Sequence, residues 1–270
     1  MAIQIKTLDQ LKSMRQANLL VRSTLELVRA NIKAGITTSA LDAIAEANIK
    51  RGGGSSNFKG YHGYPAVICV SVNDEIVHGI PGDRMLMPGD IVSVDCGAII
   101  DGWHGDAAFT MIVDPIDSEH AKMLEVCEES LWHGIAAGVL GAKISDIGHA
   151  IEKYINSQGK YGILREYGGH GIGNAMHMEP HILNFGKAGH GPTIEAGMVF
   201  AIEPMITLGS EKTKVLDDNW TVVTQDKSYG AHFENSYCIA PDGKPFVLSV
   251  EDGGKAQLAR FGIEVSPLLS

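Results

Sequence analysis

A nine-residue phrase that occurs twice constrains this chain more than any other feature. MPGDIVSVD at residues 87–95 matches EAGMVFAIE at 195–203, an offset of 108. Each passes from a glycine-containing turn into an apolar strand that ends in a carboxylate, so Asp95 and Glu203 hold equivalent places. The helical patterns ahead of them echo too. Met14, Ala17, Val21, Leu25, Val28 and Ile32 lie three and four apart, one face of an amphipathic helix that Gly35 is expected to stop. Thr37, Thr38 and Ser39 offer caps for a second helix carrying Leu41, Ile44, Ala45 and Ile49. About 103 residues on, Leu124, Cys127, Leu131 and Ile135 make a stripe that stops at Gly138. Ser145 can cap a following helix carrying Ile147, Ile151, Tyr154 and Ile155, which stops near Gly159. A helix pair followed by strands, twice over, predicts an α+β fold of two pseudo-symmetric halves, about residues 8–113 and 118–250.

With 270 residues, 44% of them hydrophobic, the chain can bury a sizeable core. A net charge of −10 without a basic cluster argues against nucleic acid as a partner. The four cysteines, Cys69, Cys96, Cys127 and Cys238, form no C-x-x-C pair, and the start MAIQIKTLDQ is polar and mixed. Reduced thiols, no membrane span and a cytoplasmic location are the expectation.

Five residues of metal-ligand type stand in strand-like or turn-like phrases: Asp95 in VSVDCG, Asp106 in WHGDAAF, His170 in GGHGIG, Glu203 in FAIEPM and Glu234 in AHFENS. Four carboxylates and one imidazole form an oxygen-rich set that suits a pair of divalent cations better than one tetrahedral zinc. Two such cations about 3.5–4 Å apart activate water at neutral pH and stabilise an oxyanion. DIVSVDCGAII-DG-WHGDAAFTMIV reads as a hairpin turning at Asp101-Gly102. Ile100 then faces Trp103, Asp95 faces Ala108 and Asp106 faces Gly97. The two aspartates become diagonal neighbours on one face, ~7–8 Å apart at the backbone. Glu203 ends an apolar strand, where an unpaired carboxylate would cost several kcal/mol. Glu234 reads as a strand residue in an alternating run. His170, among glycines, is placed on a loop or strand end. GHGIG lacks the G-x-G-x-x-G pattern of a dinucleotide loop. His78 and His177 have the placing of reactive rather than ligating groups, whereas His62, His104, His181 and His232 read as surface or satisfied histidines.

GYHGYPAVICVSVNDEIVHGIP, DIVSVDCGAIIDGWHGDAAFT, GHGIGNAMHMEPHI, VFAIEPM and DNWTVVTQDKSYGAHFENS together resemble the methionine aminopeptidases of type I, in the short bacterial form, over about residues 8–250. The twenty-six residues from His177 to Glu203 leave no room for the helical insertion typical of type II. The resemblance implies one catalytic domain, residues 1–270, with the pita-bread (creatinase/aminopeptidase) fold around an antiparallel sheet. It implies a dinuclear site of two divalent ions, drawn from cobalt, manganese, iron, zinc and nickel, with an additional monovalent cation as an option. Asp95 matches a bidentate ligand, Asp106 and Glu234 match bridging ligands, and His170 and Glu203 complete one ion's shell. Glu203 would also shuttle the proton, with His177 stabilising the tetrahedral intermediate and His78 placing the next peptide unit. Phe58, Tyr61, Tyr64, Cys69, Met176 and Trp220 match the methionine pocket. The implied reaction is removal of the initiator methionine from nascent chains when the second residue is small. The implied protein is a monomer that touches the ribosome transiently.

Some positions depart from the family pattern: Phe58, Met176, Asn235-Ser236 after the bridging glutamate, and Ala107-Ala108 after Asp106. The departures bear on metal preference and rate, since groups behind the ligands tune them. Two rivals remain. An aminopeptidase P or prolidase-like enzyme usually carries an extra amino-terminal domain, for which residues 1–60 are too short. A non-catalytic pita-bread binding protein would be expected to lose ligands, and all five are present.

Overall fold

A computed structural model describes residues 3–270. Helices α1 (Leu8–Asn31) and α2 (Thr38–Arg51) come first. Strands β1 (Ser55–Ser56), β2 (Ile68–Val72), β3 (Glu75–Val77), β4 (Ile91–Ile100) and β5 (Trp103–Ile112) follow. A second helix pair, α3 (Ser118–Ala137) and α4 (Ile144–Gln158), precedes β6 (Gly162–Ile163), β7 (Gly169–Gly171), β8 (Met178–Ile182), β9 (Val199–Ile202) and β10 (Met205–Thr207). The chain closes with β11 (Thr213–Val215), β12 (Val222–Thr224), β13 (Gly230–His232), β14 (Glu234–Ile239), β15 (Pro245–Val247) and a short α5 (Lys255–Ala259).

Local chemistry sets the helix ends. Thr7 caps α1: its hydroxyl accepts from the Gln10 N–H while the Gln10 side-chain amide oxygen, Oε1, accepts from the Thr7 N–H, so two orphan donors are satisfied reciprocally. The helix ends at Asn31, earlier than expected; Ile32 closes the last turn through its N–H, and Gly35, at φ 88°, turns the chain beyond it. Thr37 caps α2 and Gly138 follows α3, both as expected. Ser145 is not the cap of α4. That helix begins at Ile144, and the Asp146 carboxylate accepts from the Lys143 N–H at 2.7 Å. The Ser145 hydroxyl instead accepts from the His190 N–H at 2.8 Å, tying the helix to a loop.

A nine-stranded sheet positions the site. Its order is β1-β4-β5-β14-β9-β7-β8, with β2 also on β4 and β15 also on β14, and every pair is antiparallel. Two three-stranded sheets, β13-β10-β6 and β11-β12-β3, accompany it. The β4–β5 hairpin has the expected register: Ile100 faces Trp103, Asp95 faces Ala108 and Gly97 faces Asp106. Asp101 and Gly102 both take left-handed φ, 50° and 79°, as a two-residue turn of this twist requires.

Alternation along β4 and β5 divides two environments. Val92, Val94, Cys96 and Phe109 point to the helix side and are buried in one continuous core with Val21, Leu25, Leu131 and Ile147. Ser93, Asp95, Asp106 and Thr110 point to the other face. Close approach of α1 to β5 depends on Gly105, where a Cβ would lie 2.7 Å from the Asn18 nitrogen.

Candidate metal centre and adjoining pocket

Antiparallel register brings the five ligand-type residues together. Cys69 pairs with Asp95, Asp95 with Ala108, and Ala108 with Glu234. One step past the Asn235–Ile202 pair, the same row reaches Glu203. The neighbouring row on this face runs from Gly97 through Asp106, Ser236 and Ala201 to His170. The Ser236 hydroxyl donates to the Asp106 carbonyl at 2.8 Å, fixing β14 against β5 there. All five ligands thus stand on two adjacent rows of one sheet face. His170 lies within the short strand β7, not on a loop, and Glu234 opens a strand buried along most of its length rather than alternating.

Asp106, His170 and Glu234 each offer a ligand atom, and these atoms lie within 4.8 Å of one another. His170 Nδ1 is 3.0 Å from the Gly171 carbonyl. A proton on Nδ1 is donated there, which leaves the Nε2 lone pair for a cation. Glu203 Oε1 lies 3.6 Å from that Nε2, and the Asn184 amide donates to the Glu203 carbonyl at 2.9 Å.

The electrostatics of this cluster call for positive charge. Among the described residues no lysine or arginine pairs with Asp95, Asp106, Glu203 or Glu234. Buried oxygens of Asp95, Asp106 and Glu234 have no hydrogen-bond partner in the protein. Burial first, then neighbouring carboxylates, pushes the acids of Asp106 and Glu234 well above the carboxylate range. Glu203 and Asp95 are raised by burial as well. Burial lowers His170 to about 3, so it is a neutral imidazole. Unpaired buried charge of this kind is costly. Orphaned oxygens and a neutral imidazole in one place fit hard divalent cations, which the residues present can hold.

Around this cluster lies a cavity of about 110 Å³, lined by Phe58, Tyr61, Tyr64, Cys69, His78, Asp95, Asp106, His170, Met176, His177, Glu203, Trp220 and Glu234. Every residue that the sequence nominated for the site is on this list. The volume is far below the several hundred Å³ of a typical ligand pocket and suits one side chain. Phe58, Tyr64, Cys69 and Met176 are buried together, with Tyr61 and Trp220 beside them. Tyr64 meets Trp220 edge to face at 5.0 Å, and its hydroxyl donates to the Ile68 and Gly79 carbonyls.

His177 joins pocket and ligands. Its ring crosses that of His170 at 4.4 Å, and its Nδ1 lies 2.8 Å from the Tyr61 hydroxyl. His78 sits in the left-handed region, φ 61°, which is strained for a non-glycine residue. Gly79 holds it there: its N–H donates to Ser71 Oγ and its carbonyl accepts from Val70. Burial lowers His78 to about 4.

The other histidines divide. His62 and His181 are exposed or nearly so, and His104 is half-buried with Nδ1 unpartnered. His232 departs from its expected role as a surface or satisfied residue. It is 1% exposed, and its Nε2 lies unpartnered near Glu203 and Glu234. The signal available in the sequence was only the two-residue spacing of His232 and Glu234; the two stand on consecutive strands, β13 and β14. Among the departures, Asn235 points away from the site, where its side-chain Oδ1 accepts from the Ser249 hydroxyl at 2.7 Å. Ala107 also lies on the helix side, while Ala108 stands between Asp95 and Glu234.

The model of metallopeptidase family M24 matches residues 12–241 of this chain. Methionine aminopeptidase of Clostridium acetobutylicum is 46% identical over 249 residues, covering 92% of this chain and 99% of that protein. Methionine aminopeptidase 1 of Bacillus subtilis is 47% identical over 238 residues, covering 88% and 96%. The crystal structure of methionine aminopeptidase from Thermotoga maritima superposes with a TM-score of 0.90 at 37% identity, over 93% of this chain and all of that one. Prolidase from Pyrococcus furiosus shares the fold at 20% identity and a TM-score of 0.73, and this chain spans 65% of it.

Proposed function

The chain belongs to metallopeptidase family M24, and from that membership we infer that it is a metal-dependent exopeptidase removing amino-terminal methionine from polypeptides. Its fold is the pita-bread α+β fold of that family. One observation carries the reading: a single cavity holds both the buried, cation-seeking carboxylates and an aromatic, sulfur-lined recess for one side chain. A thioether is the flexible, polarisable group such walls suit.

Within this reading Asp95, Asp106, His170, Glu203 and Glu234 are the residues that would hold two divalent ions. When bound, the ions supply Lewis acidity and a water of lowered pKa. The rest is the work of side chains. The recess takes the methionine side chain and so fixes the scissile carbonyl over the carboxylate rows. Glu203 takes the proton from the attacking water and returns it to the leaving amine. With the Tyr61 hydroxyl donating to Nδ1, His177 carries its proton on Nε2 and donates it to the developing oxyanion. His78 contacts the next peptide unit.

The finer expectations extend this reading. The substrates are nascent chains whose initiator methionine precedes a small residue, since a bulky one would push the carbonyl away from the site. The ions come from the set of cobalt, manganese, iron, zinc and nickel, with a monovalent cation as a further option. The domain is single, with two pseudo-symmetric halves, and works as a cytoplasmic monomer in transient contact with the ribosome. No helix among the described residues is long and apolar enough to cross a membrane. A prolidase-like activity is not favoured, because the methionine aminopeptidases match at far higher identity and over their whole length. A metal-free binding role would leave the orphaned carboxylates unexplained.

Hydrolysis of a Met-Ala-x peptide tests the function. Cleavage that a chelator stops and Mn²⁺, Co²⁺ or Fe²⁺ restores is the expected result. Cleavage of Xaa-Pro peptides in its place would overturn it.

A further inference from the structure

His232 lies beside Glu203 and Glu234, outside the cavity lining, and takes no part in the reaction described above. It ends β13, two residues before Glu234 opens β14, and it is 1% exposed. Its backbone cannot withdraw. The His232 N–H donates to Thr110 Oγ1 at 2.9 Å, and the Thr110 hydroxyl donates to the His232 carbonyl at 2.6 Å. Thr110 is in turn bonded to Ser93 at 2.8 Å. The ring nitrogen Nε2 is buried without a partner, 3.6 Å from Glu203 Oε2 and 4.0 Å from Glu234 Oε2.

Each of these glutamates presents its other oxygen elsewhere. Glu203 Oε1 faces His170, and Glu234 Oε1 is an orphaned buried atom. His232 thus touches the pair of carboxylates from a buried position that is not part of the cavity lining. The contrast with His170 is instructive. His170 has a carbonyl beside Nδ1, so its Nε2 is a lone pair. The His232 ring makes no hydrogen bond among the described residues, and a proton on Nε2 would face oxygens of two carboxylates. The 3.6 Å gap is just beyond the hydrogen-bond range of about 2.7–3.2 Å. Rotation of the carboxylate about its last torsion, a broad one, closes it.

We propose that His232 is a positioning residue of the metal centre: through Nε2 it donates to the outer oxygens of Glu203 and Glu234 and so aims their other oxygens at the ions. The proposal rests on the dinuclear reading given above. Groups that hold a ligand's far side in this way set metal affinity without binding metal themselves.

The test compares metal-depleted wild type with His232→Met, which keeps the bulk and removes the donor, and with His232→Gln, which keeps an N–H. Mn²⁺ binding is followed by calorimetry. His232→Met should weaken binding by about 10–100-fold, while His232→Gln stays close to wild type. The Tm gained on adding Mn²⁺ should shrink in His232→Met, because the metal-free form no longer buries an unpartnered nitrogen. Independently of any variant, ¹⁵N NMR of the Zn²⁺-loaded wild type should show the His232 Nε2 protonated. Wild-type affinity in His232→Met, equal losses in both variants, or an unprotonated Nε2 would each overturn the proposal. If wild type itself binds no divalent ion, it is the metal-centre reading that fails.

Discussion

Lys6 is 4% exposed, and burial lowers its ammonium pKa to about 8. Between that value and the unfolded value near 10.5, the unfolded chain binds a proton that the folded chain has released. Stability therefore rises as pH climbs through this window, by on the order of 2–3 kcal/mol. Lys6→Met should flatten that rise in urea titrations run from pH 7.5 to 10.5. Identical slopes for the two proteins would show that the ammonium remains solvated. At the site, His177 is held by Tyr61 and lies outside the proposed ligand set. His177→Ala should lower kcat by about 10²–10⁴-fold, the usual range for a positioned proton donor, with metal content near normal. Loss of the metal in that variant would make His177 a ligand instead.

The β4–β5 hairpin is the element on which the site's accuracy depends. It delivers Asp95 and Asp106 in a fixed register, and α1 lies tightly on its back at Gly105. Gly105→Ala would force the helix from the strand, since the obstructing atoms are backbone and cannot rotate away. Overpacking of this kind costs about 1–3 kcal/mol. Because Gly105 precedes Asp106, the variant should also bind Mn²⁺ more weakly than wild type. Urea midpoints and Mn²⁺ titrations measure the two effects. A loss of stability with metal affinity untouched would mean that β5 shifts as a rigid body along its own axis.

For the whole molecule, the carboxylate cluster couples folding to metal. The metal-free protein buries acids that burial and mutual repulsion push up in pKa. An ion bound only by the folded state adds about 2.7 kcal/mol at a hundred times its Kd. Exhaustive chelation should abolish peptide cleavage and lower Tm together, and full activity in a verified metal-free preparation would exclude the mechanism. The cavity of about 110 Å³ has room for a single side chain. Met-Ala and Met-Gly peptides should be cut much faster than Met-Leu or Met-Lys peptides of equal length, since a bulky second side chain would displace the scissile carbonyl and small displacements cost ~10²-fold in rate. Equal rates across that series would mark an open site and a general aminopeptidase.

Local signals determined much of this in advance. The 3.6-residue stripes located the long helices, and Asp101-Gly102 fixed the hairpin register, because turn type alone decides which residues face each other across two strands. The five ligand-type residues were legible because a carboxylate in an apolar strand has few other reasons to be there. The cap expected at Ser145 falls at Lys143, because the Asp146 carboxylate accepts from the Lys143 N–H and the helix starts before Ser145. The recess of Phe58, Cys69 and Met176 looked like ordinary core from composition, and its nomination came from family resemblance. Cross-sheet register is a tertiary property: nothing near residue 170 says that β7 lies beside β9, two strands from β5. Pairing of β13 with β10 in the smaller sheet likewise set His232 beside Glu203, twenty-nine residues away along the chain by number and 3.6 Å away in space. The sequence by itself determined which residues could hold charge on a strand. Pairing between strands distant along the chain decided which of them share a face, because hydrogen bonding across a sheet is indifferent to side chains and only the finished fold chooses the partners.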